Sequence, residues 1–321
     1  MKQIRHRTGA VTEMERTTAK KNKYEIDMCN GTIMDKLISF SLPLMLSGIL
    51  QLMFNAVDII VVGRFSGSQA LAAVGSTSAL INVFTNLFIG ISLGANVLTA
   101  RFYAAGREKE VSETVHTAIT LALVSGIVMA LVGLVFSKGA LALMGTPDDV
   151  IGLSALYMRI YFLGMPFFML YNYGAAILRA VGDTKRPLLF LMIAGVINAC
   201  LNMVLVIVFK LGVAGVAIAT VISQMISCVL VLRCLCRSES SYRLRFSELG
   251  MKGYYLKQIF SVGVPAGIQS TVINFSNVLL QSSVNSFGST AMAGYTAANN
   301  LLGFLYVSVN SITQACMSFT S

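Results

Sequence analysis

Apolar residues recur along this chain in eight long runs, separated by short polar stretches. A helix rises 1.5 Å per residue, so a run of ~20 apolar residues is enough to cross a hydrocarbon layer of ~30 Å. The runs predict helices over 37–63, 70–100, 114–136, 150–178, 188–209, 213–232, 258–286 and from 290 onward. None shows the ten-residue alternation of a membrane-spanning strand. The expected fold class is therefore all-α, a polytopic membrane protein. Residues 1–36 form a polar tail, 37–232 six transmembrane helices, 233–257 a basic connection, and 258–321 two further transmembrane helices. Punctuation between the runs is short: Phe65-Ser66-Gly67-Ser68, Leu211-Gly212 and Phe287-Gly288-Ser289 each make a tight turn.

A shift of 222 residues lays the first run on the seventh. Ser39 then meets Ser261, Pro43 meets Pro265, Asn55 meets Asn277 and Phe65 meets Phe287. Transporters are often built from such repeats, with the site at the interface between halves. A six-helix unit gives two lobes of the same orientation, of which the second is represented here by two helices.

Polar residues inside the runs are few, and one is charged. Of fourteen acidic residues, only Asp58 falls within an apolar run. A carboxylate at the centre of a bilayer costs roughly 2.5–3.5 kcal/mol on insertion scales, so it marks a functional position by default. Gln51, Asn55 and Asp58 share a face of the first helix, which Pro43 can bend. The plainer reading of Asp58 is a helix cap or a partner for a base, but Arg64 lies on a different face. Other amides stand at helical spacing: Asn198 and Asn202 four apart, Asn172 and Gln224 singly, and Asn274, Asn277 and Gln281 along the seventh run. Each alone is as well explained by interhelical hydrogen bonding, worth ~0.6 kcal/mol. Together around one acid they describe a site for small cations. Burial penalises the charged carboxylate, so a proton and a cationic substrate can compete for it. Gly90-Ile-Ser-Leu-Gly94 and Gly212-Val-Ala-Gly215 predict close helix contacts.

Charge changes the picture through its distribution. The net charge is +10, yet 20 of 24 lysines and arginines fall in the tail and in alternate connections; Arg64, Lys138, Arg159 and Lys210 are the exceptions. That asymmetry is topological and predicts a cytosolic N-terminus in the cell membrane. It argues against nucleic acid as a partner. The six cysteines are scattered and read as small apolar residues, with no disulfide framework and no metal set. Neither histidine sits in the interior of a run, so no Ser/His/Asp constellation arises, and Gly182-Asp-Thr-Lys185 lacks the spacing of a phosphate-binding loop. No enzyme and no cofactor are expected.

Several stretches resemble one transporter family. Asn55-Ala-Val-Asp-Ile-Ile-Val-Val-Gly63 with Ala70-Leu-Ala-Ala-Val-Gly75, then Ile177-Leu-Arg-Ala-Val-Gly-Asp-Thr-Lys-Arg-Pro187, then Val264-Pro-Ala-Gly-Ile-Gln269 with Phe287-Gly-Ser289, are similar in order to the multidrug and toxic compound extrusion (MATE) family. The resemblance implies a twelve-helix antiporter of two six-helix lobes that expels organic cations against protons or sodium. It puts Asp58 on the family's helix-one carboxylate, which takes part in cation coupling, and Asn172 and Asn202 among polar residues of the N-lobe site. Where some members carry an acid on helix five this chain has Val206, and where others carry one on helix seven it has Ile273. The family's last four helices have no counterpart here, so a C-terminally truncated member is expected. With one carboxylate, protons are favoured over sodium as the coupling ion. The expected partners are small organic cations and the bilayer, and the expected state is a monomer. The alternative is a flippase of lipid-linked or polysaccharide precursors from the same superfamily, which would need basic residues in its spans to hold phosphates. Among the spans only Arg159 offers one.

Overall fold

The computed structural model describes residues 32–143, 148–285 and 289–320. Helices account for nearly all of them: α1 (Ile33–Phe65), α2 (Ser68–Ala104), α3 (Glu108–Leu143), α4 (Asp148–Leu163), α5 (Met165–Ala180), α6 (Lys185–Asn202), α7 (Gly212–Arg237), α8 (Gly253–Asn285) and α9 (Ser289–Thr320). No strand occurs among the described residues. Among them five helices are long and apolar enough to cross a membrane, α1, α2, α3, α6 and α7, and α4 with α5 makes a sixth, broken span. Helices α8 and α9, of 33 and 32 residues, have the length to cross, although their amide content keeps them below that apolarity.

Two spans differ from the continuous helices expected. The fourth is broken at Gly164 and bends by 48° between α4 and α5. Pro166 supplies the cause: its ring and missing N–H suit the start of a helix and break or bend an interior, and here it stands in the first turn of α5. The elbow packs on Gly126 of α3, where a Cβ would lie 2.5 Å from the Pro166 Cα. The fifth span ends in a turn of π-helix, Met203–Val208, directly after Asn202. Widened turns of this kind re-aim neighbouring side chains and are frequent at functional sites.

Helix α5 runs through the middle of the first bundle. Tyr173, Ile177 and Leu178 are fully enclosed by α2, α3 and α7. Large apolar side chains point outward where lipid would be: Leu131, Val135 and Phe136 on α3, Val196 on α6, Val229 on α7. That pattern is natural in a bilayer, where backbone polar groups are satisfied within each helix and the outer surface is apolar.

The last two helices cross the first two. Helix α8 lies against α2, and α9 against α1. The α2–α8 crossing is nearly backbone on backbone. A Cβ on Gly90 would sit 2.2 Å from the Gly267 Cα, and one on Gly94 2.2 Å from the Ile259 carbonyl oxygen. Small residues four apart permit this approach. The arrangement is what a two-fold axis between repeats requires, since the 222-residue shift exchanges α1 with α8 and α2 with α9. Asn96 and Ser318 are related by that shift, and the Ser318 hydroxyl donates to Asn96 Oδ1 at 3.0 Å.

The basic connection after α7 is docked, not loose. Tyr242 and Leu244 are buried, and the Leu244 N–H returns to the Leu235 carbonyl at 3.2 Å. His116 of α3, 4% exposed, accepts the Arg245 N–H on Nε2 at 3.0 Å. Its Nδ1 therefore carries the proton and donates to the Ser112 carbonyl at 2.7 Å. Lys252 closes the connection on Glu113 at 2.5 Å.

Candidate functional site

Asp58 lies in the last two turns of α1, near the end of the bundle that carries the turns at 65–68 and 209–212. The helix turns it inward: it is 8% exposed, while Ile59 and Ile60 beside it face out. Three helices supply its surroundings. From α6, Asn202 donates through Nδ2 to Asp58 Oδ1, and the same amide reaches Asn198 Oδ1 at 3.1 Å. From α7, the Thr220 hydroxyl stands 3.5 Å from Asp58 Oδ2 and makes its better bond, 3.0 Å, to the Val216 carbonyl. Asn198 Nδ2 reaches Thr220 at 3.5 Å and closes the ring. From α4, Tyr157 and Tyr161 stack with centroids 6.1 Å apart and lie close enough to feel the Asp58 charge.

The pocket carries acceptors that nothing among the described residues satisfies. Asn202 Oδ1 is fully enclosed and lacks a donor. Gln224, within hydrogen-bonding reach of the Tyr161 hydroxyl, leaves its own Oε1 enclosed and without a donor. An enclosed unsatisfied oxygen costs roughly 1–3 kcal/mol, so Asn202 Oδ1, on the amide that holds Asp58, marks a place that a proton donor or a cation would relieve. No cluster of three or more His, Cys, Asp or Glu that could hold a metal occurs among the described residues.

The candidate residues separate into three groups. Asp58, Asn198 and Asn202 are in one hydrogen-bonded cluster, with Gln224 at its edge. Asn172 spends its amide on the Phe168 carbonyl of its own helix at 2.8 Å. Gln51 and Asn55 are exposed on α1, so the polar stripe runs along the rim of the helix and only its last member enters the bundle. The side chains of Asn274, Asn277 and Gln281 lie outside the described residues. Val206, where the resemblance has an acid in some members, is buried at 3% and adds no charge.

Three participants were not legible in advance. Thr220 has a common residue type and gains its place only from the α6–α7 contact. Asp183 is a second buried acid, fully enclosed in the connection after α5; Arg186 takes its charge at 2.8 Å and its own backbone N–H adds a bond at 3.1 Å. Arg179, assigned from the sequence to a connection, instead belongs to the last turn of α5 and lines a cavity between α1, α2, α5, α8 and α9.

Comparison with known proteins points one way. The MatE family model matches residues 43–204, about half of the chain. The chain is 36% identical over 291 residues to the probable multidrug resistance protein YoeA of Bacillus subtilis, covering 88% of this chain and 62% of that protein. It is 24% identical over 272 residues to the multidrug export protein MepA of Staphylococcus aureus, covering 84% and 59%. Among solved structures, an outward-facing multidrug resistance MATE family transporter of the MOP superfamily superposes with a TM-score of 0.85 at 22% identity, covering 94% of this chain and 67% of that one. A MATE structure in a bent conformation gives 0.84 at 23%, covering 90% and 65%. The chain thus spans about three fifths of the length of these curated relatives.

Proposed function

This chain belongs to the MatE family of membrane transporters, and on that premise we propose that it works as a secondary active antiporter exporting organic cations in exchange for protons. The observation that carries the reading is Asp58: a buried carboxylate within a membrane-spanning helix, held by Asn202, whose own Oδ1 is enclosed without a donor. Such a pocket has negative polarity and no fixed counter-charge of its own. A proton or an organic cation can neutralise it, and each displaces the other, which is the minimal requirement for exchange. The names of the relatives, a multidrug resistance protein and a multidrug export protein, support drugs as cargo.

Protons are favoured over sodium on coordination grounds. Hard cations prefer several oxygen ligands, with carboxylates among them. The pocket offers one carboxylate, and Val206 stands where a second would help. In this reading the chain lies in the cell membrane with residues 1–36 and 233–257 in the cytosol, because 20 of the 24 lysines and arginines fall in the tail and in alternate connections of the sequence. Cells expressing the protein should then lose ethidium export when an ionophore collapses the proton gradient and keep it when sodium is replaced by choline. Export that follows sodium and ignores the ionophore would overturn the proton assignment.

A further inference from the structure

Arg179 has no hydrogen bond or ion pair among the described residues, yet it is partly buried and lines a cavity of about 570 Å³. The usual partners are already engaged. A base in the last turn of a helix is normally served by the terminal carbonyls. Here the Ile177, Leu178 and Arg179 carbonyls accept the N–H groups of Val181, Asp183 and Gly182. The acid in the same connection, Asp183, is held by Arg186. Tyr171 lies near Arg179, but its hydroxyl donates to the Pro187 carbonyl at 3.2 Å.

The cavity itself fits an anion on an apolar body. Its described lining contains Arg179 as the one charged residue and no acid. The rest of the lining mixes amides, Asn86, Asn310 and Gln314, with apolar side chains such as Phe40 and Leu302. A guanidinium presents five donors in a planar fork, suited to bidentate contact with a carboxylate or phosphate. Leaving that charge partly desolvated is costly unless an anion completes it. We propose that this cavity binds the carboxylate or phosphate group of an amphiphilic anion, with Arg179 as its main contact. The site is separate from Asp58, which lies toward the other end of the bundle, and does not depend on the cation-export reading.

The test uses purified protein and three probes. Octanoate represents a soluble anion with an apolar tail, inorganic phosphate one without a tail, and nanodiscs of phosphatidylglycerol against phosphatidylcholine represent a lipid source. Octanoate should bind saturably and raise the melting temperature. Arg179→Gln should weaken that binding at least about tenfold, consistent with loss of a charge-assisted pair, and Arg179→Lys should retain part of it. Asp58→Asn should bind octanoate as the parent does. Competition by phosphatidylglycerol discs would identify a lipid headgroup as the source, and its absence a soluble anion; both support the site. The melting temperature without probe gives a second, independent reading. Removal of an uncompensated charge should leave it unchanged or raise it. A fall, or failure of both variants to fold, would mean that Arg179 serves an internal partner and would overturn the proposal. So would unchanged binding in Arg179→Gln, or no saturable binding of any probe.

Discussion

Asp58 sits inside a single bundle, enclosed by side chains of α1, α6, α7 and α4, whereas Arg179 looks into a gap between that bundle and two crossing helices. The acid is reached by hydrogen bonds from its own lobe; the base is reached by none among the described residues. A charge enclosed within one rigid unit keeps its environment when units move against each other. A charge at a seam between units meets a different environment in each arrangement. On the proposed exchange reading, the acid stores the coupling charge, and on the proposed anion site, the base meets what occupies the seam.

Substitutions separate the two regions. The largest effect is expected at Gly90→Leu. Its new side chain would enter space where even a Cβ lies 2.2 Å from the Gly267 backbone, and backbone cannot yield as a side chain can. The cost should reach or exceed the ~3 kcal/mol upper range of overpacking, read as a loss of melting temperature and of membrane abundance. A fully stable Gly90→Leu would show that α2 and α8 are not in close contact, and the seam would have to be redrawn.

Asn202→Leu comes next. It removes the donor to Asp58 and leaves the acid facing an apolar surface, a change worth ~1.5–3 kcal/mol for a hydrogen bond to a charged group. Ethidium efflux should fall at least tenfold at near-normal abundance. Thr220→Val should do far less. Its hydroxyl is 3.5 Å from Asp58 and already serves the Val216 carbonyl, so efflux should stay within about twofold. If Thr220→Val proves as damaging as Asn202→Leu, the ring around Asp58 is tighter than these distances imply.

The smallest effect concerns the docked connection. Arg245, 2.8 Å from Glu248, holds that exposed carboxyl below its ordinary value of 4.5. A lowered carboxyl contributes its stability above the ordinary value and loses it only as pH falls through the lowered one. Between pH 6 and 8 the pair is constant, so Glu248→Gln should leave the pH profile of export unmoved in that window. A shifted profile would assign pH sensing to the connection instead of the Asp58 pocket.

Much of this was legible in the sequence because the bilayer simplifies the code. Apolar runs had to be helices, and a lone acid within one had to be explained. Asn198 and Asn202 share a face by spacing alone, and the glycines at 90 and 94 announced a close crossing. The remainder depends on relations between helices that no single run encodes. Thr220 matters through its distance to another helix. Gln51 and Asn55 share Asp58's stripe, but bundle packing decides that only Asp58 turns inward. His116 was set aside because it lies outside a span interior, and only the returning connection gives it a partner, the Arg245 N–H. Arg179 was assigned to a connection because helix ends blur at polar residues; α5 runs two residues further than expected, to Ala180, and so takes in Arg179.

The account rests on Asp58 as the exchangeable charge, and Asp58→Asn tests it most directly. Asparagine keeps the size and part of the hydrogen bonding but can neither take up a proton nor offset a cation's charge. Ethidium efflux and membrane abundance should be measured on the same cells, with Asp58→Glu alongside. Normal abundance with efflux abolished in Asp58→Asn, and partly retained in Asp58→Glu, is the predicted result. Normal efflux from Asp58→Asn would contradict it.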